Sequence, residues 1–418
     1  MIDCVMIAIT KILKVAHIME ITDLNKAQKI FPLFRLGFRP FFLAGALFSI
    51  FAILLWLMLY QGKLQLQPLG GDYWWHIHEM IFGFSCAIIA GFLLTAVQNW
   101  TGLPGVQGKK LAALLLLWLV GRIGLLFPSL LGATLTTIAD LAFLPCVAFI
   151  LAKPIVAIKQ YHNLFFVPLL VIFTIANAQM HASIYYPNLI SAQYAGYAAV
   201  MLITLLISVM TGRVVPMFTA NGTKTTKAIA LPRLDSLTNG ALALLTILLL
   251  LHPIIGVNNF YIGVILIFAG IFQAIRWFRW RPWITLGVPL LWSLHIAISA
   301  LAFGLILLGL SYLIPSMPTN HIWHLLTIGG IGGIILAMIS RVTLGHTGRA
   351  LHAPKLMSLA FSAMVLASLI RSLGPWGLPE HTMLFIDVSG YLWLFSFSLF
   401  VFFYAPMLLK ARADGRPD

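Results

Sequence analysis

The chain is predicted to be an all-α, polytopic membrane protein with about twelve transmembrane helices, and three observations predict it. Of its 418 residues 61% are hydrophobic and 9% charged, too little polar surface for a globule in water. Mean hydropathy is +0.99. Apolar stretches long enough to cross a bilayer core as a helix, roughly 17 to 25 residues, recur along its whole length.

In chain order the twelve spans fall near 41–60, 76–99, 111–127, 131–152, 163–183, 191–212, 236–252, 258–276, 285–313, 321–343, 356–374 and 384–408. Basic residues mark every second boundary. Lys11, Lys14, Lys26, Lys29, Arg35 and Arg39 precede the first span, Lys109-Lys110 the third, and Lys153 and Lys159 the fifth. Arg213 to Arg233 separate the sixth and seventh, and Arg276, Arg279 and Arg281 the eighth and ninth. Arg341, Arg349 and Lys355 follow the tenth, and Lys410, Arg412 and Arg416 close the chain. Of the 26 Lys and Arg only Lys63, Arg122 and Arg371 lie on the other side. The positive-inside rule then places both termini in the cytoplasm. It also explains the net charge of +15 without nucleic acid as a partner. The partner this pattern names is the lipid bilayer.

Three segments follow: residues 1–40 as a cytoplasmic N-terminal arm, 41–410 as the membrane domain and 411–418 as a cytoplasmic tail. Residues 1–30 read as amphipathic or disordered, with no cleavable signal peptide and with Met19 as an alternative start. Cys4, Cys86 and Cys146 lack metal-binding spacing, so Cys86 and Cys146 read as small residues within spans.

The second and tenth spans repeat each other. At a constant offset of 246 residues, His78 matches His324, Gly83 matches Gly329, and Thr101-Gly102 matches Thr347-Gly348. Gly83, Ala87 and Gly91, and again Gly329, Gly333 and Ala337, form stripes of small residues four apart that allow close helix packing. Val167-Pro168-Leu169-Leu170 recurs as Val288-Pro289-Leu290-Leu291, and Met210 to Val214 echoes Met338 to Val342. Spans 2, 6 and 10 are then equivalent, which suggests three four-helix units.

Among 12 histidines, topology places His76, His78, His181, His252, His321, His324 and His381 on the outer side. His78, His181 and His324 reach into apolar spans, where polar side chains face the bundle interior. His321 and His324 share a helix face, a spacing suited to two ligands on one ion. His76 and His78 converge only if the second helix begins between them, as Trp74-Trp75 at the interface suggests. Imidazole ligates both metal ions and haem iron, and interfacial hydrogen bonding is the plainer alternative. His295 lies in the middle of the ninth span. Glu79 is placed to orient an imidazole or relay a proton, or simply to complement the helix dipole. Asp140 and Asp387 are intramembrane carboxylates with Arg122 and Arg371 as expected partners. On the inner side Arg213 and Arg349 sit at glycine-broken helix ends, where they bind a haem propionate or a lipid phosphate or merely terminate the helix.

Phe34-Arg35-Leu36-Gly37-Phe38-Arg39-Pro40-Phe41-Phe42, Trp75-His76-Ile77-His78-Glu79-Met80 and Gly91 to Gly102 resemble the NnrS family. So do Gly212-Arg213-Val214-Val215-Pro216-Met217-Phe218 and Arg341 to Arg349. The likeness runs from about residue 31 to 410. It implies a twelve-helix protein of the bacterial inner membrane that binds b-type haem and copper and serves nitric oxide metabolism and resistance to nitrosative stress. The family's motif histidines fall on His76, His78, His181, His295, His324 and His346; His321 lies outside the pattern.

The resulting expectation is a haem near the outer side with the repeat-equivalent pair His78 and His324 as axial ligands, and copper on some of His76, His181 and His321. Two further classes stay open. A haem-copper oxidase or nitric oxide reductase would also have twelve helices, but the sequence lacks the adjacent His-His pair and the His-Pro-Glu-Val-Tyr string of that superfamily. A carrier of haem, copper or a small anion is the other. The sequence does not choose the chemistry performed on nitric oxide or the oligomeric state.

Overall fold

The computed structural model describes residues 29–416. Most of the predicted arm, with Met19, lies outside the described residues. Among these residues there is no β-strand, and twelve long helices account for the fold. They are α1 (Phe38–Tyr60), α2 (Asp72–Thr101), α3 (Lys109–Leu126), α4 (Pro128–Ala157), α5 (Phe166–Tyr185) and α6 (Ala192–Thr223). Then come α7 (Pro232–Ile255), α8 (Asn259–Arg279), α9 (Pro289–Leu313), α10 (Thr319–His346), α11 (Lys355–Gly377) and α12 (Thr382–Leu409).

Eleven of them are long and apolar enough to cross a membrane. The other is α3, 18 residues long, which carries Lys109, Lys110 and Arg122. Its charge is accounted for at both places: the lysines occupy the first turn, and Arg122 is buried. Proline starts α4, α7 and α9, where its missing N–H costs nothing. Prolines also lie inside helices, at Pro145 in α4, Pro216 in α6 and Pro406 in α12, as membrane helices tolerate more readily than soluble ones. Large apolar side chains such as Phe149 and Phe402, each 72% exposed, form the surface that lipid would cover.

Consecutive helices pack in order, and α12 closes the set against α1. Burial separates three helices from the rest. The most apolar window is 83% buried in α2, 72% in α10 and 67% in α6, against no more than 50% in any other span. These are the three helices for which the sequence suggested equivalence, and they are the most buried of the spans.

The likeness of α2 and α10 extends to their backbones. Each starts as a short α-helix, passes into a π-helix directly after the matched histidine, at Glu79–Ser85 and Leu325–Gly332, and resumes as an α-helix. Each ends the same way. The hydroxyls of Thr101 and Thr347 donate to carbonyls four residues back, Val97 and Thr343, and the following glycines turn left-handed at φ 68 and 70. The small residues hold the centre together: a Cβ on Gly91 would stand 2.8 Å from the Phe41 Cβ of α1, and one on Gly333 would stand 3.0 Å from the Ala297 Cβ of α9. In α6 there is no π-turn; it runs as an unbroken 32-residue α-helix.

The end that holds the start of α1 and the end of α12 is tied by hydrogen bonds. The Arg39 guanidinium donates to the carbonyls of Leu408 (2.9 Å) and Lys410 (2.8 Å), capping α12. The tail folds back on α10, with the Ala413 N–H donating to the Thr347 carbonyl (2.9 Å) and Arg412 to the His346 carbonyl (3.1 Å). Arg412 also pairs with Asp414 and holds its carboxyl down at about 2.

Candidate functional site

The wide π-turns disturb the hydrogen-bond ladders near the N-terminal ends of α2 and α10, and polar side chains collect there. The indole N–H of Trp118 donates to the Gly83 carbonyl (3.0 Å) and the Ser85 hydroxyl to the Met80 carbonyl (2.8 Å). Two polar centres lie beside these turns.

The first is a cavity of about 340 Å³ between α1, α2, α6, α10, α11 and α12, within the size range of small-molecule sites, roughly 300–1,000 Å³. Its walls are aromatic and aliphatic, with His76, His321, His324 and Arg371 as the basic groups. The described lining residues include no carboxylate. The His76 ring stacks on Trp56 at 4.3 Å, and its Nδ1 is buried without a hydrogen-bond partner. Trp393 Nε1 is a second buried atom without a partner in this wall.

Hydrogen bonds fix the tautomers of the other two histidines. His324 Nδ1 lies 3.2 Å from the Asn320 carbonyl, which can only accept, so the proton sits on Nδ1 and Nε2 keeps its lone pair. That is the arrangement of a metal-ligating imidazole. His321 is the reverse. Arg371 Nη1 lies 2.6 Å from its Nδ1, and a guanidinium can only donate, so in the neutral ring the proton of His321 sits on Nε2. His321 and Arg371 together therefore present donors.

The second centre lies among α2, α3, α4 and α5 and is closed to solvent. His78 Nδ1 is 2.9 Å from Glu79 Oε1; its Nε2 is 3.1 Å from Asp140 Oδ2 and 2.8 Å from Asn177 Oδ1. His181 Nε2 is 3.0 Å from the same Asp140 Oδ2, and its Nδ1 is 3.2 Å from Thr137 Oγ1. Arg122 bridges the carboxylates, donating from Nη1 to Glu79 Oε1 (2.6 Å) and from Nη2 to Asp140 Oδ1. All of these side chains except Thr137 are buried.

The sequence-named residues thus divide differently from the expectation. The Arg122–Asp140 pair forms. Arg371 reaches His321, and Asp387 accepts instead from Gln61 Nε2 (2.6 Å). His78 and His324 do not share one cavity: His324 lines it together with His76, and His78 belongs to the closed cluster with His181. The physical reason is Glu79, whose carboxylate captures His78 Nδ1 and with Arg122 draws the ring into the charge network.

Arg213 and Arg349 lie at the opposite end. Arg213 stands over the Phe166 ring at 5.7 Å, and Arg349 donates to the Thr347 carbonyl (3.1 Å). His346 packs 5.5 Å from Phe38 at that end. His295 Nε2 meets Thr219 Oγ1 (2.9 Å), and its Nδ1 is buried without a partner. Asn177 and Thr137 went unnamed in the sequence. Their signal was helical spacing, since Asn177 is four residues before His181 and Thr137 three before Asp140, each on the same helix face.

The family model described as NnrS protein matches residues 32–412, nearly the whole chain. No curated protein matches it.

Proposed function

The chain belongs to the NnrS family, and from that premise we propose that it is a haem- and copper-binding protein of the bacterial inner membrane, with both termini cytoplasmic, that acts in nitric oxide metabolism and protection against nitrosative stress. The observation that carries this reading is the outer cavity. One imidazole from α2 and one from α10, His76 and His324, line the same aromatic chamber, whose described lining holds no carboxylate and whose guanidinium is Arg371, beside His321.

A b-type haem matches that donor set. His324 offers Nε2 with its Nδ1 proton held by the Asn320 carbonyl, and His76 has a buried nitrogen with nothing to bond. Arg371 and the His321 N–H are suited to a propionate carboxylate, and Trp56, Tyr197 and Trp393 supply flat apolar walls. When bound, haem iron supplies reversible nitric oxide binding and one-electron chemistry. The chain's own residues orient and shield it: Trp56 fixes the plane of His76 by stacking, and Asn320 fixes the tautomer of His324. The paired rings of Tyr197 and Trp323, 3.9 Å apart, close the α6 wall.

The test is the reduced-minus-oxidised absorption spectrum of the detergent-purified protein, with and without nitric oxide, beside iron and copper analysis of the same sample. A b-haem spectrum that the gas perturbs, with near-integral iron, is the expected result. A colourless preparation that regains no spectrum with added haem would overturn the reading and favour a carrier, for which the same cavity would be an anion path.

A further inference from the structure

We propose that His78 Nε2, His181 Nε2 and Asp140 Oδ2 are the ligands of one divalent first-row transition metal ion, bound apart from the cavity. The three atoms lie within 4.8 Å of one another, and the two imidazole-to-carboxylate distances are 3.1 and 3.0 Å. Ligands about 2.0–2.2 Å from a tetrahedral ion stand roughly 3.3 Å from each other. An opening of a few tenths of an ångström therefore admits the ion.

The surroundings are those of a metal site as well as of an ion pair. Both nitrogens of His78 face only oxygen acceptors. One proton on Nδ1, donated to Glu79, satisfies that nitrogen and leaves the Nε2 lone pair for a cation. Thr137 Oγ1 similarly accepts from His181 Nδ1 when its Nε2 is a ligand. Asn177 Nδ2 donates to Asp140 Oδ2 (2.8 Å) and Arg122 to Asp140 Oδ1, which aim the carboxylate. With both imidazoles neutral, Glu79 and Asp140 carry one more charge than Arg122, a net attraction for a cation in a medium of low dielectric. Glu79 Oε2 is buried and has no hydrogen-bond partner, so the network has unspent negative charge.

Two imidazoles with one carboxylate suit copper, iron or zinc. The assignment deepens the copper part of the proposed function and rests on it only in making Cu(II) the first ion to test. Glu79, Arg122, Asn177 and Thr137 are positioning residues.

The experiment uses the full chain in detergent, stripped with a chelator, reloaded with Cu(II), Fe(II) or Zn(II) alone and freed of excess ion. Bound ion is counted by mass spectrometry, and the haem absorbance of each sample is recorded beside it. The expected result is one equivalent bound by the wild type and by His324→Ala, and none by His78→Ala or His181→Ala. Should the cluster variants fail to fold, X-ray absorption at the metal edge of the loaded wild type decides: two imidazoles and an oxygen at about 2.0–2.2 Å support the site, and scattering without imidazole overturns it. A wild type that binds no ion, or a His181→Ala protein that binds as much as the wild type, also overturns it. Absence of haem from every sample would instead overturn the cavity reading and leave the ion site standing.

Discussion

In α2 the π-turn that follows His78 begins with Glu79; in α10 the π-turn that follows His324 begins with Leu325. The backbones match through the histidine, the widened turn and the left-handed glycine at the far end, yet the two imidazoles have different environments. Glu79 brings Arg122 and Asp140 to its side of the helix, and His78 is fully enclosed among charges. Leu325 is apolar and buried, so no carboxylate follows His324, whose Nδ1 bonds only the Asn320 carbonyl and whose ring lines the cavity with Arg371. Within a repeated frame, one histidine lies in a closed charge cluster with Glu79, Asp140 and Arg122, and the other lines an open cavity. The comparison teaches that the frame positions a histidine, and the residues that do not repeat, Glu79 among them, set its surroundings.

The strongest break in this comparison is removal of the cavity imidazole. His324→Ala is expected to abolish haem absorbance nearly completely while His78→Ala retains it, read from spectra of the purified variants. Equal loss in both would mean that the two heads serve a single site.

Next in size is Arg122→Met, which leaves Glu79 and Asp140 buried without their cation. Loss of one partner from a buried ion network costs about 3–5 kcal/mol, seen as a lowered unfolding temperature in detergent. Adding Asp140→Leu and Glu79→Leu to that variant should recover part of the loss. A single variant as stable as the wild type would show that the network contributes no net stabilisation.

Making the heads alike sharpens the contrast. Glu79→Leu gives α2 the residue of α10 and is expected to weaken metal binding by roughly 10–100-fold, the usual cost of removing the group that orients a ligating imidazole, with haem absorbance unchanged. Titration of the stripped protein with Cu(II) measures it, and an unaltered affinity would remove Glu79 from its positioning role. The smallest effect is expected at Arg371→Gln: loss of one charge-assisted hydrogen bond, about 1.5 kcal/mol, weakens haem retention by about tenfold. Haem transfer to apomyoglobin gives the rate, and a variant that holds haem as tightly as the wild type would take the propionate contact away from Arg371.

The frame was legible in the sequence because its causes are periodic. Hydropathy gave the spans, and the fixed offset between His78 and His324 identified the two central helices that share a π-turn. The distribution of polar groups was less legible. Arg122 with Asp140 could be guessed as opposite charges at matching depth, but Arg371 with Asp387 looked equally good and is not formed, since Gln61 reaches Asp387 first. The π-turn itself has no period that a sequence displays, and it rotates the residues after it relative to the histidine. Whether His76 or His78 faces α10 depends on the helical phase at the start of α2 and on Glu79, both set by tertiary contacts rather than by spacing.

The most direct test of the account is a parallel preparation of the wild type, His324→Ala and His181→Ala, with the reduced-minus-oxidised spectrum and the iron and copper content of each. The account predicts that His324→Ala loses haem and keeps copper, and that His181→Ala loses copper and keeps haem. Loss of both groups in either variant, with the protein still folded and monodisperse, would contradict the division of the π-turn end of the bundle into two sites.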